Sequence, residues 1–177
     1  MSSSTTAQPR RFTIKVPCTS SNIGPGFDVV GLSLSLYLTL RVTVDPSAAH
    51  TAPTLAYTGL GAEEAPLDAY KNLTTRTALY VLRSNGVSSF PRGVSIDVHN
   101  QVPFGRGLGS SGAAVVAGLL LGNELGGLGL GKDRLLDHAL MIERHPDNVT
   151  AALMGGFVGS YLLELSAEDE ERRDVPL

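Results

Sequence analysis

Bulky apolar and polar residues alternate over residues 12–18 (FTIKVPC) and 36–44 (LYLTLRVTV), and a period of two predicts β-strands there. The alternation returns over 94–99 (VSIDVH). Residues 45–68 are rich in Ala, Pro and Gly and read as a surface excursion with a short strand at 54–58. Residues 68–85 carry Leu73, Ala78, Leu79, Val81 and Leu82 at helical spacing and end at Asn85-Gly86, which predicts an amphipathic helix. A second helix begins at Ser110, runs uncharged for about three turns and is expected to stop near Gly126-Gly127. A third covers 132–144, with Leu135, Leu136, Ala139, Leu140 and Ile142 as its buried face. Pro146 interrupts it, Asp147 and Asn148 open a fourth, and residues 155–165 close as a strand. The fold class expected is α+β: a mixed sheet of four to six strands, helices on one face, and the Ser110 helix central.

Composition narrows the setting. The 177 residues are 42% hydrophobic and 18% charged, with a mean hydropathy of +0.10, which suits one globular domain with a core and is short for two. A net charge of −3 and a pI near 5.8 argue against nucleic acid and anionic membranes as partners. With Cys18 the sole cysteine, no intrachain disulfide can form, and a reducing compartment is expected. Residues 1–11 lack the apolar stretch of a secretory signal and read as a disordered cytosolic start, while residues 166–177 read as a charged tail. The longest apolar run, 112–122, is too short to cross a bilayer. A soluble cytoplasmic protein is expected.

The chemistry concentrates at residues 102–123, VPFGRGLGSSGAAVVAGLLLGN. Gly105, Gly107 and Gly109 alternate through a loop, followed by two hydroxyls at Ser110 and Ser111. Glycine lets backbone N–H groups approach an anion, and the helix that follows adds its unpaired first-turn N–H groups and positive dipole end. Strand, glycine loop and helix together make a phosphate site. It is neither a Walker loop, which needs Gly-Lys-Ser/Thr, nor a dinucleotide fingerprint, whose third glycine is here replaced by Ser110. The bland alternative is a turn with a serine helix cap.

Two further constellations carry polar groups. In TSSNIGPGFDVVGL, Gly24, Pro25 and Gly26 turn the chain and leave Asn22 and Asp28 in a loop, either aimed into a cleft or capping backbone groups. In RHPDNVTAALMGGF, Asp147 and Asn148 stand where a helix begins, either as site residues or as its N-cap.

Residues 103–114 resemble the central motif of the GHMP kinases, the family of galactokinase, homoserine kinase and mevalonate kinase. The match runs through Pro103, Gly105, Gly107, Leu108, Gly109, Ser110, Ser111, Gly112 and Ala113. The resemblance implies that this run, with Arg106, binds the ATP phosphates, that Asn72 lies near the nucleotide, and that Ser111 ligates Mg2+. The acid partner for the metal would be Asp137, where homoserine kinases usually have Glu, or Glu143. Within the family, PCTSSNIGPGFDVVGL is similar to the first motif of the homoserine kinase branch, which implies that Asn22 and Asp28 contact the amino acid substrate. The HPDN segment implies His145 as a substrate residue, with Asp147 and Asn148 as the catalytic pair at the acceptor hydroxyl.

The activity so implied is transfer of the γ-phosphate of ATP to the side-chain hydroxyl of L-homoserine, giving O-phospho-L-homoserine for threonine biosynthesis. A mevalonate-type kinase carries a lysine in the first motif, where this chain has Thr19 or Ser20, so Asp147 is expected to orient the hydroxyl rather than deprotonate it. Family members also carry a second α+β domain with a further glycine-rich motif, so residues 12–165 are expected to be an N-terminal ATP-binding domain. A non-catalytic nucleotide-binding domain, with apolar surface that favours a homodimer, is therefore the competing expectation.

Overall fold

A computed structural model describes residues 8–162. Residues 1–7 of the expected N-terminal tail fall outside them, as do residues 163–165 of the closing strand and the charged tail at 166–177; Arg10 and Arg11, expected in the tail, already belong to the first strand.

Among the described residues five strands and four helices follow in the order β1 (Arg10–Ile23), β2 (Gly26–Val44), β3 (Thr54–Gly59), α1 (Leu73–Ser84), β4 (Val94–Asn100), α2 (Ser110–Gly126), α3 (Lys132–Glu143), α4 (Pro146–Met154) and β5 (Phe157–Gly159). The sheet is mixed. Its order is β1-β2-β4-β3, with β3 parallel to β4, the other pairs antiparallel, and β5 added to β2. On β1, β2 and β4 the apolar residues Ile14, Val16, Leu38, Leu40, Val42, Val94, Ile96 and Val98 are buried together with the helices, while Thr13, Lys15 and Asp97 face outward. The helices therefore cover one face, as the alternation requires. α2 lies at the centre of that layer. It packs on α1, α3, α4 and the first two strands, and its Ala113, Val115, Val116, Ala117, Leu119 and Leu121 are fully buried. A helix apolar all round must be surrounded in this way.

Four differences from the sequence reading have physical causes. The segment after residue 18 is a strand rather than a loop: β1 and β2 form a long hairpin that stays paired to Ile23 opposite Gly26. Thr and Ser at positions 19–21 hide the apolar alternation there, and register shifts at Pro17/Cys18 and Ser21/Ile23 break its period. α1 starts at Leu73, five residues later than expected, because residues 68–71 form a turn in which the Asp68 carbonyl accepts from Lys71 and Asn72. The closing strand is only three residues long within the described chain. Gly155 and Gly156 hold φ of 85° and 76°, which breaks extended backbone before Phe157.

The fourth concerns α3. Leu135 and Ala139 are buried as expected, but Leu136, Leu140 and Ile142 are only half-buried, and His138 takes the innermost place at 0% exposure. Its ring meets Tyr80 of α1 edge-on at 5.6 Å, with Nδ1 3.5 Å from the Tyr80 hydroxyl. Burial, with the Arg134 charge adding to it, pushes the imidazole below its ordinary value, against a smaller opposing pull from Asp137. The folded chain thus protonates His138 less readily than the unfolded chain, whose imidazole binds a proton below pH ~6.5. Stability from this group is full above that pH and is lost as pH falls. A lower melting temperature at pH 5.5 than at 7.5 is expected, and His138→Phe should flatten that difference; an unchanged pH slope in the variant would rule the histidine out as its source.

Candidate functional site

The glycine loop leaves β4 through Asn100, which organises the strand end. Its Nδ2 donates to the carbonyls of Leu60 (2.8 Å) and Val102 (2.9 Å), and its Oδ1 accepts from Val102 N–H at 2.9 Å. Gly105, Gly107 and Gly109 all adopt left-handed φ, at 63°, 69° and 61°. Gly109 is the N-cap of α2, no side chain caps that helix, and its first turn holds no acidic residue. The first bond within the helix is Ala113 N–H to the Gly109 carbonyl at 2.8 Å. The N–H groups of Ser110, Ser111 and Gly112 therefore have no carbonyl inside the helix to bond, and with the positive dipole end they form an anion-binding terminus.

This terminus lines a cleft of about 400 Å3. Gly105, Gly107, Gly109 and the two serines form one wall, and Ser21, Asn22 and Asn148 form another. Asn148 is the hinge between them. It accepts from Thr19 Oγ1 at 2.7 Å through Oδ1, and its Nδ2 donates to Ser21 Oγ at 2.8 Å. Asp147 Oδ1 accepts the backbone N–H of Asn148 at 2.8 Å and lies 3.5 Å from Asn148 Nδ2. Asp147 is 3% exposed, and α4 is seated so closely on β2 that a Cβ at Gly31 would strike the Asp147 carbonyl. Neither residue is the N-cap of α4: that position belongs to His145, with Pro146 as the first helical residue.

At the hairpin tip, Asn22 and Asp28 both have left-handed backbones, with φ of 59° and 56°. Asn22 Oδ1 accepts the Asp28 N–H at 2.8 Å, so its carbonyl does cap backbone across the tip, while the side chain also borders the cleft. The Asp28 carboxylate is not used in that cap. It stands 3.7 Å from His145 Nδ1, in an exposed pair.

A second cavity, of about 320 Å3, opens on the other side of Ser110 and Ser111. Tyr57, Pro66, Leu73 and Phe104 make it largely apolar, and burial pushes the Tyr57 hydroxyl above its ordinary value. Asn72 borders this cavity, but its side chain is occupied: Oδ1 caps α1 at Thr74 N–H (3.0 Å), and Nδ2 donates to the Pro66 carbonyl (3.0 Å).

The structure thus brings Asn22, Asp28, His145, Asp147 and Asn148 to the same end of the sheet as the glycine loop. Ala113 lies behind that loop in the core, Pro103 is half-buried at its start, and Arg106 is exposed on it. Asp137 stands apart from both cavities, half-exposed on α3 and paired with Arg134 at 3.3 Å. Ser21 borders the cleft and Thr19 braces it from beneath, and a reading of the residues alone assigns neither to it. The signal for them is their place two and four residues past Pro17, on the strand that leads to Asn22.

A sheet backed by helices, with a glycine-lined helix terminus open to a polar cleft, defines an α+β domain whose terminus suits an anion. Residues 72–156 match the GHMP kinases N terminal domain. Over 170 residues the chain is 58% identical to a homoserine kinase of Candida albicans, covering 94% of this chain and 47% of that protein. Over 176 residues it is 56% identical to a homoserine kinase of Saccharomyces cerevisiae, covering 95% and 49%. The crystal structure of homoserine kinase from Cytophaga hutchinsonii superposes with a TM-score of 0.68 at 25% identity, over 92% of this chain and 59% of that one. The chain belongs to the GHMP kinase family, and it spans about half the length of the curated relatives it matches.

The three loop glycines differ in what surrounds them. A Cβ at Gly109 would strike Thr19 Oγ1 and Asn148 Oδ1, whereas one at Gly105 would meet open space. Gly105→Ala is expected to lower stability by about 1–2 kcal/mol, the cost of the left-handed backbone alone. Gly109→Ala adds an overpacking cost and should lose about 2–5 kcal/mol in total. Urea denaturation of both variants checks this, and equal losses would contradict the close seating of Gly109.

Proposed function

We propose that the chain is the ATP- and substrate-binding part of a homoserine kinase, which moves the γ-phosphate of ATP to the side-chain hydroxyl of L-homoserine and yields O-phospho-L-homoserine. The observation that carries this reading is the single cleft in which the α2 terminus faces Asn148, with Asp147 and Asp28 beside it. The adenosine part would occupy the apolar cavity of Tyr57, Pro66, Leu73 and Phe104. The triphosphate would pass over Ser110 and Ser111, which border both cavities, and lie on the loop N–H groups. On the far side, the substrate ammonium would pair with Asp28, a charge-assisted bond worth roughly 1.5–3 kcal/mol, and displace its present contact with His145.

Phosphoryl transfer asks mainly for alignment and for neutralisation of charge. Asn148 and Asp147 would hold the acceptor hydroxyl in line. The Asp147 carboxylate already accepts from the Asn148 backbone, so it acts here as an orienting group, with the proton passing to the transferred phosphate. The chemistry that Mg2+ would supply here is to offset the negative charge of the phosphates. Ser111 fits as an oxygen ligand, because the residue borders the cleft, whereas Asp137 and Glu143 of α3 line neither cavity and Asp137 is paired with Arg134, so the acid expected from that helix does not fit the site. No described helix is long and apolar enough to cross a membrane, and the reading places the protein in the cytosol with a small molecule as its substrate.

A second reading is a domain that binds nucleotide without turnover, which the place of Asp137, paired with Arg134 outside both cavities, favours. Coupled ADP release with and without L-homoserine separates the two. Homoserine-dependent ADP is the result expected of the kinase, whereas calorimetric ATP binding without ADP release would leave only the binding domain. Where turnover is seen, Asp147→Asn should retain part of it; a loss beyond about 10⁴-fold with substrate binding intact would make Asp147 a general base instead.

A further inference from the structure

Thr19 joins the three pieces that build the cleft. Its backbone N–H donates to the Leu108 carbonyl at 3.2 Å, which ties β1 to the glycine loop. Its hydroxyl lies 2.7 Å from Asn148 Oδ1, which ties β1 to α4. The residue is 0% exposed, and the Gly109 backbone passes directly over this hydroxyl–amide contact.

The direction of that hydrogen bond follows from its neighbours. A carboxamide carries a donor and an acceptor end that can be exchanged by a flip, so the surroundings must say which end points where. Asp147 Oδ1 lies 3.5 Å from Asn148 Nδ2 and already accepts the Asn148 backbone N–H, as an ionised, acceptor-only group does. A flipped amide would put its oxygen against that carboxylate, oxygen to oxygen. The NH2 end is therefore held on the side of Asp147 and Ser21, and the carbonyl end is turned toward Thr19. Only a donor can satisfy it there, and the Thr19 hydroxyl is that donor.

We propose that Thr19 is a positioning residue: by donating to Asn148 Oδ1 while holding the Leu108 carbonyl, it keeps the donor end of the Asn148 amide on the Ser21 side that borders the cleft, turns the acceptor end away from it, and ties the glycine loop to β1. This rests on the nucleotide-binding reading above. It gives β1 a role in the site other than carrying Asn22, and it accounts for a fully buried hydroxyl beneath an anion-binding loop. A residue with the same shape and no donor, such as valine, would leave the Asn148 carbonyl buried and unpaired, and the amide free to turn its acceptor toward the incoming phosphate.

The test uses the 177-residue chain. In its NMR spectrum the Asn148 side-chain NH2 should give nuclear Overhauser contacts to the Ser21 β-protons rather than to Thr19; contacts to Thr19 instead would overturn the proposal without any variant. Calorimetry with MgATP should then show binding about tenfold weaker in Thr19→Val, the loss expected of one misdirected hydrogen bond, with Thr19→Ser within about twofold of the native chain. A purely structural role would weaken Val and Ser alike, or lower the melting temperature with no change in affinity, and either result would overturn it. If the native chain bound no MgATP, the nucleotide reading would fall, while the NH2 contacts would still decide for or against Thr19. Should Thr19→Val not fold, the spectrum of the native chain and the Ser variant carry the decision.

Discussion

A hydrogen bond between a strand and a helix, Thr19 to Asn148, holds the cleft together, and the Gly109 backbone lies against it. Were β1 and α4 to part at this point, the glycine loop would lose its floor. The same contact explains why three separated stretches of chain act as one site. β1 supplies Thr19, Ser21 and Asn22, the β4–α2 connection supplies the loop amides, and α4 supplies Asp147 and Asn148, none of which could fix the geometry alone.

Packing carries this arrangement. α2 is surrounded by the sheet and by the other three helices, so its N-terminus cannot tilt without disturbing buried Val115, Val116 and Leu119. α4 rests on β2 at Gly31, where the lack of a side chain lets the Asp147 backbone approach the strand. Interiors packed to crystal-like density transmit such constraints. The loop glycines are thus freed to meet a ligand, because the helix behind them and the strand beneath them are not free to move.

The site's electrostatics fit an anion on one side and a cation on the other. The α2 terminus has unpaired N–H groups and no nearby acid in its first turn, whereas the hairpin tip presents the Asp28 carboxylate within reach of His145. An amino alcohol and a nucleotide triphosphate have complementary charges for those two ends. A polar cleft and an apolar cavity share Ser110 and Ser111, and under the proposed function they would take the phosphate and the base of a nucleotide.

Local rules determined much of this protein. The alternation over 36–44 and 94–99 fixed two strands and their buried faces, the uncharged run after Ser110 marked the central helix, and the glycine spacing marked the loop, because each signal is written in neighbouring residues. Asn22, Asp28, Asp147 and Asn148 stood out for the same reason, as polar groups at a turn or a helix start, while their roles, and His145 altogether, came from the resemblance to the GHMP kinases. Tertiary structure decided what depends on partners far along the chain. The pairing of residues 19–23 with β2, the burial of His138 against Tyr80, and Thr19 facing Asn148 across 129 positions have no local signature. Small hydroxyl residues carry no periodic hydrophobic signal, and a buried imidazole on a helix spaced like its neighbours reads as surface. Only the closing of the sheet against the helices gave those side chains their partners.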